Sequence, residues 1–257
     1  MGNLTRKHDI PMAMKRILLT VTALLGLALP AMAETPSKAC VANIQAAAKS
    51  KRAPPVPQDC WRLGSIKLGM TALQTRTYLG TPGATSTFTL NYRRRKILVT
   101  RQLYVYPRNL RNWLKLAPAR AQDFHPVILK LDFSSGALVA IGLDTEARVM
   151  PPACRPSAAG RTYVRSGADF PYGLHGMTLG APISSVTQRF GKFARDNRTG
   201  DFHTYLPVPL SVDGKDKVTG FRMASGPPFE SGGSSPIVIP TLDRRNCFVT
   251  GYVLKPS

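Results

Sequence analysis

A phrase written twice constrains this chain more than any other feature. Leu68-Gly69, a short helical stretch and Gly80 recur 111 positions later as Leu179-Gly180, a helical stretch and Gly191. The same offset pairs Leu131-Asp132 with Leu242-Asp243, and Leu143 with Leu254. Repetition at a fixed period sets the architecture on which any other motif must sit. The expectation is an α+β chain of two tandem repeats, each a short helical opening followed by a small antiparallel sheet.

Both openings follow one local logic. Thr71-Ala72-Leu73-Gln74 is a capping box, in which the Thr hydroxyl and Gln amide satisfy orphan N–H groups at a helix start. Gly80 is placed to end that helix in a left-handed turn, with Gly191 in the same role later. Pro182 suits a first helical turn. Ile183, Val186 and Phe190 then form one apolar face, of which Ala72, Thr75 and Leu79 are a weaker version.

Strands follow. Arg95 to Tyr106 alternates Ile97, Val99, Leu103 and Val105 against Leu98, Thr100, Gln102, Tyr104 and Tyr106; Arg101 interrupts the first face and marks an exposed sheet side or edge. Val127 to Phe133 and Ala137 to Leu143 flank Ser134-Ser135-Gly136 as a hairpin, repeated as Ile237 to Leu242 and Cys247 to Leu254. His203 to Pro207 and Val218 to Met223 bracket a further turn at Asp213-Gly214-Lys215.

The N-terminus reads as an export signal. Lys15 and Arg16 precede an apolar run from Ile17 to Leu29, and Ala31-Met32-Ala33 fits the small-x-small cleavage rule. Met14 reads as the true initiator, and the run is too short to span a hydrocarbon core of about 30 Å. Pro36-Ser37-Lys38-Ala39 gives Cys40 no lipid-attachment context. The expected layout is a signal peptide at 1–33, an N-terminal helix and Pro-rich linker at 34–59, a first repeat at 60–150, a junction at 151–169 and a second repeat at 170–257. The expected compartment is the periplasm or the exterior, with no transmembrane segment in the exported chain.

Beyond Ala33 the chain holds 31 bases against 13 acids, a net +18. Such a field favours acidic or anionic partners and disfavours basic ones. Cys40, Cys60, Cys154 and Cys247 all lie in the exported part and suggest two disulfides. Of the three connectivities open to four cysteines, Cys40–Cys60 with Cys154–Cys247 is favoured. Metal binding is the weaker alternative, because there is no CxxC and no neighbouring His pair.

The string Ile66-Lys67-Leu68-Gly69-Met70-Thr71, a short helix and Leu79-Gly80-Thr81-Pro82 resembles the opening of SmpA/OmlA (BamE-like) domains. In the second copy, Ala181-Pro182 replaces Met70-Thr71 and Lys192-Phe193 replaces Thr81-Pro82. A tandem pair of such units is similar in layout to β-lactamase inhibitory proteins, whose two repeats form one concave sheet surface. The resemblance implies a non-enzymatic domain of the bacterial envelope that binds other proteins, and it names no partner.

The best local candidate for binding is Arg93 to Arg120, with nine bases and no acid. Within it, Arg93, Arg94, Arg95, Lys96, Arg101, Arg108 and Arg111 offer guanidinium and ammonium groups. Tyr104, Tyr106 and Trp113 offer rigid contact area. An acidic envelope protein is the expected partner, and an anionic polymer or lipid the alternative. Nucleic acid is disfavoured by export and by the lack of a binding motif. No cofactor is implied. His125, His175 and His203 are isolated, Ser231-Gly232-Gly233-Ser234-Ser235 lacks the ending of a phosphate loop, and no G-x-S-x-G elbow is present, so no enzyme is expected.

Overall fold

The computed structural model describes residues 36–50, 54–106, 108–109, 112, 115, 126–144, 173–191, 194–199, 202–206, 210–212, 217–225, 229, 237–243, 245 and 247–255. The expected signal segment, the 151–169 junction and Ser231 to Ser235 lie outside them. The described chain is α+β, with three α-helices and antiparallel sheets. No described helix is long and apolar enough to cross a membrane.

Helix α1 spans Lys38–Lys49, capped by the Ser37 hydroxyl, which accepts from the Cys40 amide. It ends at Ser50, before the Pro54-Pro55-Val56-Pro57 stretch, whose three prolines have no N–H to donate. A short 3₁₀ turn, Gln58–Cys60, and the small pair β1 (Arg62–Leu63) and β2 (Ile66–Lys67) lead to α2, Ala72–Leu79. At the start of α2 the expected capping box is formed. The Thr71 hydroxyl accepts from Gln74 N at 3.2 Å, and Gln74 Oε1 accepts from Thr71 N at 2.8 Å.

Strands β3 (Ala84–Tyr92), β4 (Arg95–Tyr106), β5 (Val127–Ser134) and β6 (Ala137–Asp144) follow. The second half runs α3 (Ile183–Phe190), β7 (Ala194–Thr199), β8 (Phe202–Leu206), β9 (Leu210–Val212) and β10 (Val218–Ala224). A hairpin of β11 (Ile237–Leu242) and β12 (Val249–Lys255) ends the described chain. Pro182 sits at the N-cap of α3 with φ −70° and ψ 148°, one position before the first turn. Both α2 and α3 stop at glycine. Gly80 has φ 71°, ψ −159° and Gly191 has φ 87°, ψ 178°, a region that glycine alone enters without strain, rather than the compact left-handed turn expected.

One antiparallel sheet of eight strands, in the order β3-β4-β5-β6-β10-β9-β8-β7, carries both halves. The halves join where β6 pairs with β10, from Ala140 opposite Ala224 to Asp144 opposite Gly220. The two openings dock on the two seam strands by the same bonds. Gly69 N donates to Leu138 O (2.8 Å) and Leu138 N to Met70 O (2.7 Å). Gly180 N donates to Val218 O (2.7 Å) and Val218 N to Ala181 O (2.9 Å). Gly69 and Gly180 both have positive φ, 88° and 78°. Leu63 pairs with Ile66 as Leu174 pairs with Met177.

The 111-residue offset therefore describes the openings and stops there. Beyond them β10 stands where β6 stands, so the echoes Leu131-Asp132/Leu242-Asp243 and Leu143/Leu254 join strands that are not counterparts. They fall on β5 and β6 in the first half, and on the separate β11–β12 hairpin in the second. The strands β7 to β9 are short, which shrinks the spacing between α3 and its seam strand.

Strand periodicity decides where each side chain is buried. Tyr104 and Tyr106 of β4, Val127, Leu129, Leu131 and Phe133 of β5, and Ile141 and Leu143 of β6 share one face. They form the main core with Ile44 of α1, Leu79 of α2, and Val186 and Phe190 of α3. The opposite face carries Leu103, Val105 and Ile128, which pack with Val249, Leu242 and Leu254 of the β11–β12 hairpin. The middle strands are thus covered on both sides.

Cys40 and Cys60 form the favoured disulfide, with Cα atoms 5.2 Å apart. It ties α1 to the first opening, while Gln45 Nε2 donates to Arg189 O on α3, 2.7 Å away. Helix α1 so bridges the two halves. Cys247 is also disulfide-bonded, and Cys154, its expected partner, lies outside the described residues.

Candidate functional site

The basic segment singled out in the sequence divides into surface and core. Strands β3 and β4 form a hairpin in unbroken register over nine pairs, from Ala84 opposite Leu103 to Tyr92 opposite Arg95. Arg93 and Arg94 make its two-residue turn, with φ 45° and 65°. Two positive φ values are what a type I′ turn requires, and Asn-Gly is the usual way to supply them. Here two arginines take the strained positions, at roughly 1 kcal/mol or more each. Arg93, Arg94, Arg95 and Lys96 are exposed at the tip. The Arg93 guanidinium lies over the Tyr92 ring, 5.2 Å from its centroid.

Three residues proposed for binding are withdrawn from the surface. Arg101 is 1% exposed, and its Nε and Nη2 donate to Asp132 Oδ1 and Oδ2 at 2.7 and 2.8 Å. Its guanidinium also lies 4.7 Å from the Phe88 ring centroid. Tyr104 and Tyr106 are buried in the main core, the Tyr104 hydroxyl donating to Gln102 Oε1 at 2.9 Å. Burial pushes the Tyr104 phenol above its ordinary range, against the pull of Arg108 and Arg76.

Tyr104 and Tyr106 lie beyond the pairing of β3, which stops at Ala84 opposite Leu103, and are covered by the helix-side core; the physical reason for the Arg101 correction is β3. Its sequence, Ala84-Thr85-Ser86-Thr87-Phe88-Thr89-Leu90-Asn91-Tyr92, alternates small polar with modestly apolar residues, and it escaped the sequence reading. With β3 in place, β4 is no longer an edge and Arg101 lies one strand inside. The available signal was the period-two run of threonines against Phe88, Leu90 and Tyr92.

Arg108 is exposed but occupied. It lies 5.0 Å from the Tyr104 ring centroid and 5.9 Å from that of Tyr106, and donates to Thr81 O below the end of α2. Arg111 and Trp113 lie outside the described residues.

Sequence reasoning also missed an open groove of about 660 Å³ beside the tip. Lys96, Leu98, Thr100 and Gln102 of β4 form its floor, with Phe133 of β5 and Ala72 of α2 at its sides; Ser134, Ser135 and Gly136 close one end. Leu98 is 64% exposed there, although it belongs to the face that becomes core at Tyr104, six residues later. Along β3, Thr85, Thr87, Thr89 and Asn91 are exposed. The arrangement offers cationic groups, a shallow apolar floor and hydroxyls, which suits recognition of an anionic partner surface.

Elsewhere the described residues offer less chemistry. No three His, Cys, Asp or Glu side chains among them are placed to hold a metal. His125 lies outside the description and His203 on β8. His175 is buried at φ 49°, with Nε2 2.8 Å from Cys60 O and Nδ1 without a hydrogen-bond partner. Donation to a carbonyl fixes the proton on Nε2. Burial pushes this imidazole below its ordinary value, with Arg62 and Arg189 adding to the fall against the Cys60 hydrogen bond.

No family model matches the chain, and neither the curated proteins nor the solved structures include one that matches it.

Proposed function

We propose that this chain is an exported, non-enzymatic binding protein of the bacterial envelope, built from two BamE-like units. It holds an acidic protein partner as a scaffold or inhibitor. The observation that carries this reading is the β3–β4 hairpin. Four exposed bases at its tip adjoin a groove floored by Leu98, and among the described residues none of those bases is engaged in an ion pair. Shared docking bonds at Gly69 and Gly180, and half-sheets joined at the β6–β10 seam, support the tandem origin. The Cys40–Cys60 disulfide is consistent with an oxidising compartment.

One feature of the expected paired sheet surface is moved. The face opposite the helices is covered over Leu103, Val105 and Ile128 by β11–β12. The partner surface is therefore assigned to the helix-side flank of β3 and β4. Electrostatics would speed encounter, with Leu98 and the strand backbone supplying the shorter-range contacts.

Retention of a partner from periplasmic extract by the full chain, compared with the Arg93→Glu, Arg94→Glu, Arg95→Glu variant, tests this reading. The expected result is capture by the parent at low salt and loss in the variant. Folded parent protein that retains nothing overturns it. A second reading, binding of anionic envelope polymers or lipids, draws on the same tip. It is selected instead if anionic vesicles or lipopolysaccharide bind with a steep salt dependence and no protein is held.

A further inference from the structure

The two edges of the eight-stranded sheet are treated differently. Strand β7 carries Arg195, Asp196 and Arg198 in its sequence and a break in register between Asp196 and Thr199. Charge and irregularity are the usual means of blunting an edge. Strand β3 has neither. Its nine residues hold no charge and no proline, and its register with β4 is regular throughout. Among the described residues nothing pairs with its outer side.

Antiparallel pairing alternates, and the pair that closes a two-residue hairpin is hydrogen-bonded. Counting back from Tyr92–Arg95, residues Leu90, Phe88, Ser86 and Ala84 turn their peptide groups to β4. Thr85, Thr87, Thr89 and Asn91 turn theirs outward, each offering one donor and one acceptor. This row ends at the tip where Arg93, Arg94, Arg95 and Lys96 gather. Between Asp59 and Asp123 the chain has no acidic residue, so these elements bring the tip no acid of their own.

We infer that β3 is a strand-addition site: it accepts an extended segment of a partner protein whose backbone extends the sheet and whose acidic residues lie against the Arg93–Lys96 turn. Main-chain bonds to Thr85, Thr87, Thr89 and Asn91 supply affinity, and the guanidiniums choose an acidic segment and fix its register. Two arginines in strained turn positions fit this division of labour, since a turn built only to fold would use Asn-Gly there. The inference deepens the protein-binding reading above and rests on it.

The test uses the full chain and a synthetic peptide of alternating threonine and valine ending in a run of aspartates. Binding is followed by calorimetry and by amide exchange at Thr85, Thr87, Thr89 and Asn91. Slowed exchange at those four amides is expected. A peptide with alternate amides N-methylated keeps its charge but loses its donors, and should bind at least about tenfold more weakly. In the protein, Thr87→Pro removes one outward donor at a position where β4 does not need it, and should weaken binding similarly.

Equal binding of the methylated and unmethylated peptides overturns strand addition even if Thr87→Pro fails to fold. In that case, continued sensitivity to Arg94→Glu leaves the protein-binding reading standing on charge alone. Indifference to both methylation and Arg94→Glu overturns the inference and the assignment of the tip together.

Discussion

Deleting one member of the Arg101–Asp132 pair should cost far more than deleting both. The side chains are 2% and 9% exposed and meet through two bonds of 2.7 and 2.8 Å. Asp132→Ala takes the bidentate carboxylate away from a guanidinium that stays in the sheet interior beside the Phe88 ring. Breaking a buried pair by removing one partner costs about 3–5 kcal/mol. At about 2–4 °C per kcal/mol for a chain of this size, the expected fall in Tm is roughly 6–20 °C. The paired replacement Arg101→Met, Asp132→Leu removes both desolvation penalties with the attraction and should lie near neutral, up to about 1–4 kcal/mol more stable. Urea denaturation of parent, both single variants and the double variant closes the cycle. A cost for Asp132→Ala below about 1 kcal/mol, the range of exposed pairs, would refute the buried placement. So would a double variant as unstable as the worse single one.

Three further outcomes are expected. His175 should make stability fall in acid. Below the ordinary imidazole value near 6.5 the unfolded chain takes up a proton that the buried ring refuses. The loss grows as pH drops from there and levels once pH passes the lowered folded value. Urea midpoints of the parent and His175→Gln across that window should diverge, and parallel slopes would contradict the assignment. Replacing both Cys40 and Cys60 by alanine opens a cross-link of sequence separation 20. The loss should be about 3 kcal/mol, with α1 released first in hydrogen exchange; an unchanged midpoint would show that α1 docks without it. Thr71→Ala removes the hydroxyl of the capping box and should cost about 1 kcal/mol in thermal denaturation, whereas Pro182→Ala, with no side-chain cap to lose, should fall well short of that.

What was readable in advance follows from the range of the forces involved. The capping box at Thr71, the hairpin about Ser135-Gly136, the span of β4 and the helix-ending glycines depend on neighbours a few residues away. Arg101 was misplaced because its exposure depends on β3, which pairs with β4 but has little apolar content to announce itself, and Tyr104 and Tyr106 because theirs depends on the helix-side core that closes over β4 beyond β3. The groove at Leu98 was invisible for a related reason. Leu98 and Tyr104 share one sheet face, and which of them is covered is decided by how far the helix-side core extends along β4.

The sequence by itself determined the twin openings, since glycine at positive φ and a helix start are written locally and recur at one spacing. It determined too that the stretch from Cys60 to Gln122 would be basic without relief. Only the tertiary structure decided which of those bases meet water. Burial is a property of what packs against a strand from elsewhere in the chain. The seam between β6 and β10, the hairpin laid over Leu103 and Val105, and the open flank of β3 are all set by such long-range pairings, and no local pattern encodes them.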